Sequence, residues 1–218
     1  MAAMLLAAAA RADLVETADR RSTEGRVASV ADDGVHLSAG AVVAWSDVRR
    51  VVFDRPAVRA ADTRLLLRDG SSLCGVVRRL TRERLVFRSV AVGELDLALD
   101  QVAAVQFAPG AALESVRNAS ATNVVALLRS GLVRSGTVLF ASANNVLLKT
   151  ADGPEKLALE NLAGMVFDRV PPPGGAGVVL RNGDVLCGAP QWSAGGVQTT
   201  VGGVAATVGI EALAEIRR

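Results

Sequence analysis

Two cysteines and one histidine are the residues best suited to chemistry in this 218-residue chain. Both cysteines lie in one phrase written twice. "LRDGSSLCGVV" runs from Leu67 to Val77 and "LRNGDVLCGAP" from Leu180 to Pro190, with six of the eleven positions identical. A metal site would need Cys74 or Cys187 to cluster with histidines or carboxylates at ligand spacing, and no such spacing occurs. His36 lies between Val35 and Leu37, which places it on the opposite, solvent face of a strand. A Ser-His-Asp triad would have to be built on it, and nothing in the sequence sets a nucleophile beside it. Gly70-x-x-x-x-Gly75 has the glycine spacing of a phosphate loop. That loop continues with Lys-Ser/Thr into a helix, whereas Val76-Val77 continue a strand here. The glycines therefore read as structural. No catalytic residue, cofactor or metal is expected. The cysteines would pair as a disulfide only in an oxidising compartment and only if the two phrases met around a pseudo-two-fold. Two small buried thiols are the favoured reading.

Two further groups bear on binding. Arg78, Arg79, Arg82, Arg84 and Arg88 form the one basic stretch, read mainly as solvated strand and loop arginines. Among the aromatics, Phe53, Phe107 and Phe167 recur at one closing position and read as core, and Phe87 and Trp45 fall on apolar faces. Phe140 and Trp192 remain, at equivalent places four residues after a repeated glycine. Packing between modules is the favoured reading for both. Whichever of them is exposed is the best partner contact the sequence offers.

The elements that carry these residues come from repetition, which is sought first because missing it misassigns the fold. "LRSGLVRSGTV" (Leu128 to Val138) and "TADRRSTEGRV" (Thr17 to Val27) are weaker relatives of the doubled phrase. Aligned on Gly25, Gly75, Gly136 and Gly188, three copies carry a glycine five residues earlier, at Gly70, Gly131 and Gly183, and the first carries Arg20 there. Each copy closes alike, through "DVRRVVF", "QVAAVQF", "NLAGMVF" and "ALAEIRR". Four modules follow, at residues 13–54, 63–108, 123–168 and 176–218. Modules one and three both leave through Val-Phe-Asp-Arg, and modules two and four share the cysteine phrase. A two-module unit duplicated once explains this, with the pair boundary expected at the linker, residues 109–122. A short helix is expected there over residues 111–119.

Within one module the pattern reads as five strands. Asp69-Gly70 and Asn182-Gly183 are two-residue hairpin signals, with Ser130-Gly131 a weaker one. A long second strand passes through Gly75 and its equivalents, where a strand glycine marks a sharp bend. The third strand carries Leu85 and Phe87 on one face, and "ELDLAL" alternates as the fourth. A tight polar turn and a short fifth strand close the module. This rhythm resembles the Sm-like small β-barrel. It is also similar to the tandem LxNGDxLxG modules of exported planctomycete-type repeat proteins. The expected fold is all-β: four tandem five-stranded Sm-like barrel modules in two duplicated pairs, with a four-bladed β-propeller as the alternative. The resemblance implies RNA contacts in the turn between strands two and three and in the turn before strand five. Here the latter turn carries Ser46-Asp47, Asp100-Gln101, Glu160-Asn161 and Glu211-Ala212, and acidic groups repel phosphates.

Composition agrees with a packed domain of uncharged purpose. Half the residues are hydrophobic, and with 3% aromatics and no Tyr the core must be Val, Leu and Ala. A net charge of +2 is too small to argue for nucleic acid. "MAAMLLAAAARAD" ends in the Ala10-Arg11-Ala12 cleavage pattern, so residues 1–12 read as the remnant of a signal peptide. No later segment is long and apolar enough for a membrane span. The expectation is an exported, non-catalytic β-repeat protein, structural or protein-binding, with an unknown protein or envelope component as partner. Sm-like RNA binding and weak envelope-glycan binding are the alternatives.

Overall fold

The computed structural model describes residues 12–58, 63–113, 116, 123–142, 144–172, 175–193 and 196–218. The signal-peptide reading of residues 1–12 lies outside them except for Ala12. Among the described residues the chain is all-β, and its helical structure is limited to single 3-10 turns. Module one holds β1 (Asp13–Thr17), β2 (Ser22–Gly25), β3 (Val27–Ala31), β4 (Gly34–Leu37), β5 (Val42–Ala44) and β6 (Val48–Val52). Module two holds β7 (Thr63–Leu67), β8 (Ser72–Leu80), β9 (Arg84–Ser89), β10 (Gly93–Ala98) and β11 (Val102–Gln106). Module three repeats it with β12 (Val124–Leu128), β13 (Val133–Ala141), β14 (Asn145–Thr150), β15 (Gly153–Ala158) and β16 (Leu162–Val166). Module four holds β17 (Gly177–Leu180), β18 (Val185–Cys187), β19 (Gln191–Ser193), β20 (Gly196–Val201), β21 (Val204–Val208) and β22 (Leu213–Arg217).

Each module has the same antiparallel order. In module two it is β10-β9-β8-β7-β11, and in module three β15-β14-β13-β12-β16. The second strand is the bent one. It runs unbroken for nine residues in β8 and β13, each with a register shift a few residues past the glycine. A Cβ on Gly75 would stand 2.2 Å from the Arg88 carbonyl oxygen and one on Gly136 2.4 Å from that of Lys149. Only glycine lets the bent strand approach its neighbour this closely. In modules one and four the same strand breaks into two. Val27 N–H turns to the Asp13 carboxylate at 2.8 Å instead of a ladder partner. In module four Pro190, which has no N–H to give, follows Gly188 at φ 122°.

The hairpins correct one expectation. In module two Leu67 N–H donates to the Ser71 carbonyl at 2.9 Å and Gly70 N–H to that of Leu67 at 3.2 Å. The loop is therefore three residues long, a turn closed by one left-handed residue, and only Gly70 has positive φ. Modules three and four repeat both bonds through Gly131 and Gly183, and module one through Arg20. Arg20, at φ 65°, is the one described non-glycine residue with positive φ, in the place the alignment gave it.

The modules pack through their fifth strands, in an order the sequence did not suggest. β11 pairs β16, with Val105 opposite Met165, and β6 pairs β22, with Val51 opposite Ile216. These are equivalent positions, so each pair has a pseudo-two-fold. The backbone bonds are reciprocal: Phe107 N–H to the Ala163 carbonyl at 2.9 Å, Phe167 N–H to that of Ala103 at 2.8 Å. The packed pairs are two with three and four with one. The boundary expected at residues 109–122 falls inside a packed pair. Of the expected helix over residues 111–119 only 111–113 and 116 are described, and buried Leu113 packs with Ala104 and Val166 in that pair. Because strands pair across modules, one 16-stranded sheet runs through all four. A propeller keeps each blade as its own sheet, so the propeller alternative does not hold. Among the described residues no helix is long and apolar enough to cross a membrane.

The core follows the alternation read from the sequence. Leu85, Phe87, Leu95 and Leu97 in module two, and Val146 and Leu148 in module three, are buried with Phe53 and Phe167.

Candidate functional site

The doubled cysteine phrase meets itself. Ser72 of β8 bridges Val185 of β18 in antiparallel register, and these two residues hold the same place in their phrases. A third pseudo-two-fold passes between them. Across it the Cys74 N–H donates to Asp184 Oδ1 at 2.6 Å, and the Cys187 N–H donates to Ser71 Oγ at 3.0 Å. Ser71 and Asp184 are again equivalent positions, so each copy caps the cysteine amide of the other. That is why both copies keep the phrase: it is the contact surface between modules two and four.

The cluster is dry. Ser71, Asp184, Cys74 and Cys187 are all buried, and both thiols are free. Asn182 donates from Nδ2 to Asp184 Oδ2 at 2.9 Å, and Arg64 reaches from β7 to Ser72 Oγ at 3.0 Å and Cys74 Sγ at 3.5 Å. Burial pushes the Cys74 thiol up to about 11, with the Asp184 charge adding to it and Arg64 opposing. Burial raises Cys187 in the same direction. Burial also raises the Asp184 carboxyl, against the hydrogen bonds from Asn182 and Cys74. Thiols held neutral are poor nucleophiles and poor metal ligands. Among the described residues no three His, Cys, Asp or Glu side chains gather in a group that would hold a metal ion.

The arginine of the Leu-Arg phrase has a parallel task. Arg68 pairs with Asp168 at 2.6 Å, Arg129 donates to the Phe107 carbonyl at 3.4 Å, and Arg181 to that of Pro56 at 2.8 Å. Each grips the segment leaving a neighbouring module.

The two equivalent aromatics part company. Trp192 stacks on Trp45 of module one, centroids 4.5 Å apart and planes 17° apart. Trp45 donates its indole N–H to the Ala31 carbonyl at 2.7 Å, and Arg218 lies over the Trp45 ring and donates to the Trp45 carbonyl. The stack, beside a cleft of about 410 Å³, is packing between modules one and four. Phe140 is 55% exposed on β13. Its equivalent position does not distinguish it from Trp192 in sequence, because the difference lies in the presence of Trp45 opposite.

All five arginines of the basic stretch are exposed. Arg84 is paired with Asp96 at 2.7 Å, and Arg88 lies opposite Glu94 in the β9–β10 register. The face is thus mixed in charge. His36 bonds Asp33 at 2.8 Å at the surface, and this bond lowers the Asp33 pKa. The turn glycines Gly70, Gly131 and Gly183 shape loops, and Gly75, Gly136 and Gly188 lie at the bend of the second strand. No protein-family model, curated protein or solved structure matches this chain.

Proposed function

We propose that the chain is an exported, non-catalytic β-repeat protein that serves as a structural or protein-interaction module of the cell envelope. One observation carries the reading. The residues of the repeated phrase that are capable of chemistry are spent on joining modules, which leaves exposed Phe140 as the largest apolar side chain offered to a partner. In modules two and three, five strands in the order four-three-two-one-five, with a bent second strand and a one-turn 3-10 helix before the fifth, support assigning the module to the Sm-like class. The Ala10-Arg11-Ala12 pattern supports export.

The test is to fractionate host cells, map the N-terminus by mass spectrometry, and place a photo-crosslinking residue at position 140. The expected result is a chain beginning at Asp13 in an envelope or secreted fraction, cross-linked to a discrete species. An intact leader in the cytosol overturns the export reading. An activity abolished by one polar substitution overturns the non-catalytic one.

The five exposed arginines favour one second reading, nucleic-acid binding by an Sm-like module. It requires an affinity that falls steeply with salt and is lost when Arg78, Arg82 and Arg88 become Ser. Salt-independent or absent binding removes it.

A further inference from the structure

Strand pairings between these modules obey one rule: strand meets strand at equivalent positions. Val105 faces Met165, Val51 faces Ile216, Ser72 faces Val185 and Leu80 faces Ala141. Each is an isologous contact in miniature, the same patch on both sides. The start of strand two is used this way by modules two and four. Modules one and three carry the same edge, and among the described strands none pairs with it from another module.

The two free copies differ in character. In module one the edge reads Arg21-Ser22, both exposed, with Arg21 ion-paired to Asp19 at 3.1 Å. Charged, polar edges resist strand addition. In module three the edge reads Leu132-Val133, 53% and 54% exposed. Leu132 occupies the place of buried Ser71 and Asp184, and Val133 the place of Ser72 and Val185. Beside them lies an open groove of about 650 Å³, walled by Val133, Arg134 and Ser135 on one side and residues 150–155 on the other. Arg134 is already balanced by Glu155 at 3.1 Å, so two copies meeting here would not oppose uncompensated like charges.

We propose that Leu132 and Val133 are the contact through which two copies of this chain associate, module three against module three, antiparallel and centred on Val133. The internal contact of modules two and four supplies the precedent for the geometry. It also supplies the choice of occupant. The matching edges of modules two and four are already covered within the chain, and that of module one is charged. The apolar edge left to receive Leu132 and Val133 is their own counterpart on a second copy. The two-fold closes on itself and stops at a dimer.

The experiment is sedimentation velocity on the full chain from low-micromolar to sub-millimolar concentration, beside Leu132→Glu/Val133→Glu. The wild-type chain should shift from the mass of one chain to that of two, and the double variant should stay at one with an unchanged melting temperature. Val133→Cys provides a second reading that does not depend on the double variant folding. A two-fold through Val133 sets the new thiols opposite each other, so mild oxidation should link two chains. Val42→Cys, at a valine 50% exposed in another module, should not link over the same time. A wild-type chain of single mass throughout, a dimer that survives the double substitution, or equal cross-linking at positions 133 and 42 would overturn the proposal.

Discussion

The start of strand two appears in two chemical forms. At the contact of modules two and four it is Ser71-Ser72 against Asp184-Val185, buried, with side-chain oxygens accepting the amides of Cys187 and Cys74. In module three it is Leu132-Val133, exposed, with no side-chain oxygen to offer. A permanent internal contact can use buried polar caps because its partner is always present, and an unpaired buried donor would cost about 1–3 kcal/mol. A contact that opens and closes is better served by aliphatic side chains, whose burial favours association without leaving a polar group unpaired. The comparison teaches that one edge, copied four times, was fitted separately to being covered for good, left bare, or covered on occasion.

Exchanging the two chemistries gives the largest expected effect. Asp184→Leu writes module three's residue into module four. It strips the acceptor from the Cys74 amide and from Asn182, and should cost about 3 kcal/mol in chemical denaturation. Asp184→Asn keeps one oxygen for the Cys74 amide and removes a buried charge, but it sets an NH2 against the Asn182 donor, so it should cost about 1–2 kcal/mol, less than Asp184→Leu. Equal losses for the two variants would mean that the carboxylate charge, and not the acceptor, holds the contact.

Alkaline pH loosens the same contact without mutation. The Cys74 thiol is held neutral up to about 11 in the fold, against 9.0 for a free thiol. Below pH 9 folded and unfolded chains both carry the proton and nothing is lost. Between pH 9 and 11 only the unfolded chain ionises, so this part of the stability declines and is gone above 11. The denaturation midpoint should fall through that window, and Cys74→Ala should flatten the fall. In the native chain below pH 9, both cysteines should resist iodoacetamide while an engineered thiol at position 133 reacts.

Ser71→Ala is the milder counterpart of the Asp184 change. It leaves the Cys187 amide unpaired but removes no charge and strands no second donor, and should cost about 1–2 kcal/mol. A loss matching that of Asp184→Leu would show that the two halves of the pseudo-two-fold fail together and cannot be divided between residues.

These contacts show what the sequence made legible. The strands could be read most fully in module two, because each leaves a side-chain pattern: alternation in "ELDLAL", glycine at the bend, Phe at the close. The choice of module partner left almost none. Fifth strands join by backbone amides and carbonyls, which every residue owns, so pairing two with three and four with one is invisible in Val105, Met165, Val51 and Ile216. The trace that did exist lay in the residue after the turn glycine, polar in modules two and four and apolar in module three. The hairpins were misread because Asp-Gly serves both a two-residue loop and the last two places of a three-residue loop. Phe140 and Trp192 could not be separated from sequence, since the stacking partner Trp45 lies in another module.

The smallest effect tests the repeat itself, by asking whether module one's loop truly equals the others. All four loops share the same pair of backbone bonds, and three place glycine at the left-handed residue. Arg20 adopts φ 65° there with its side chain exposed, a conformation that costs an L-residue roughly 1 kcal/mol. Glycine removes that strain but gives the unfolded chain more freedom, worth about 0.4–1 kcal/mol in the other direction. Arg20→Gly should therefore stabilise the chain by no more than about 0.5 kcal/mol, read as a small rise in melting temperature. Arg20→Ala keeps the Cβ and the strain and should gain nothing. If Gly and Ala behave alike, φ is not what the position selects. A loss on going to glycine would mean that the Arg20 side chain supports module one's edge, which would make that edge a built surface and not a vestige of the repeat.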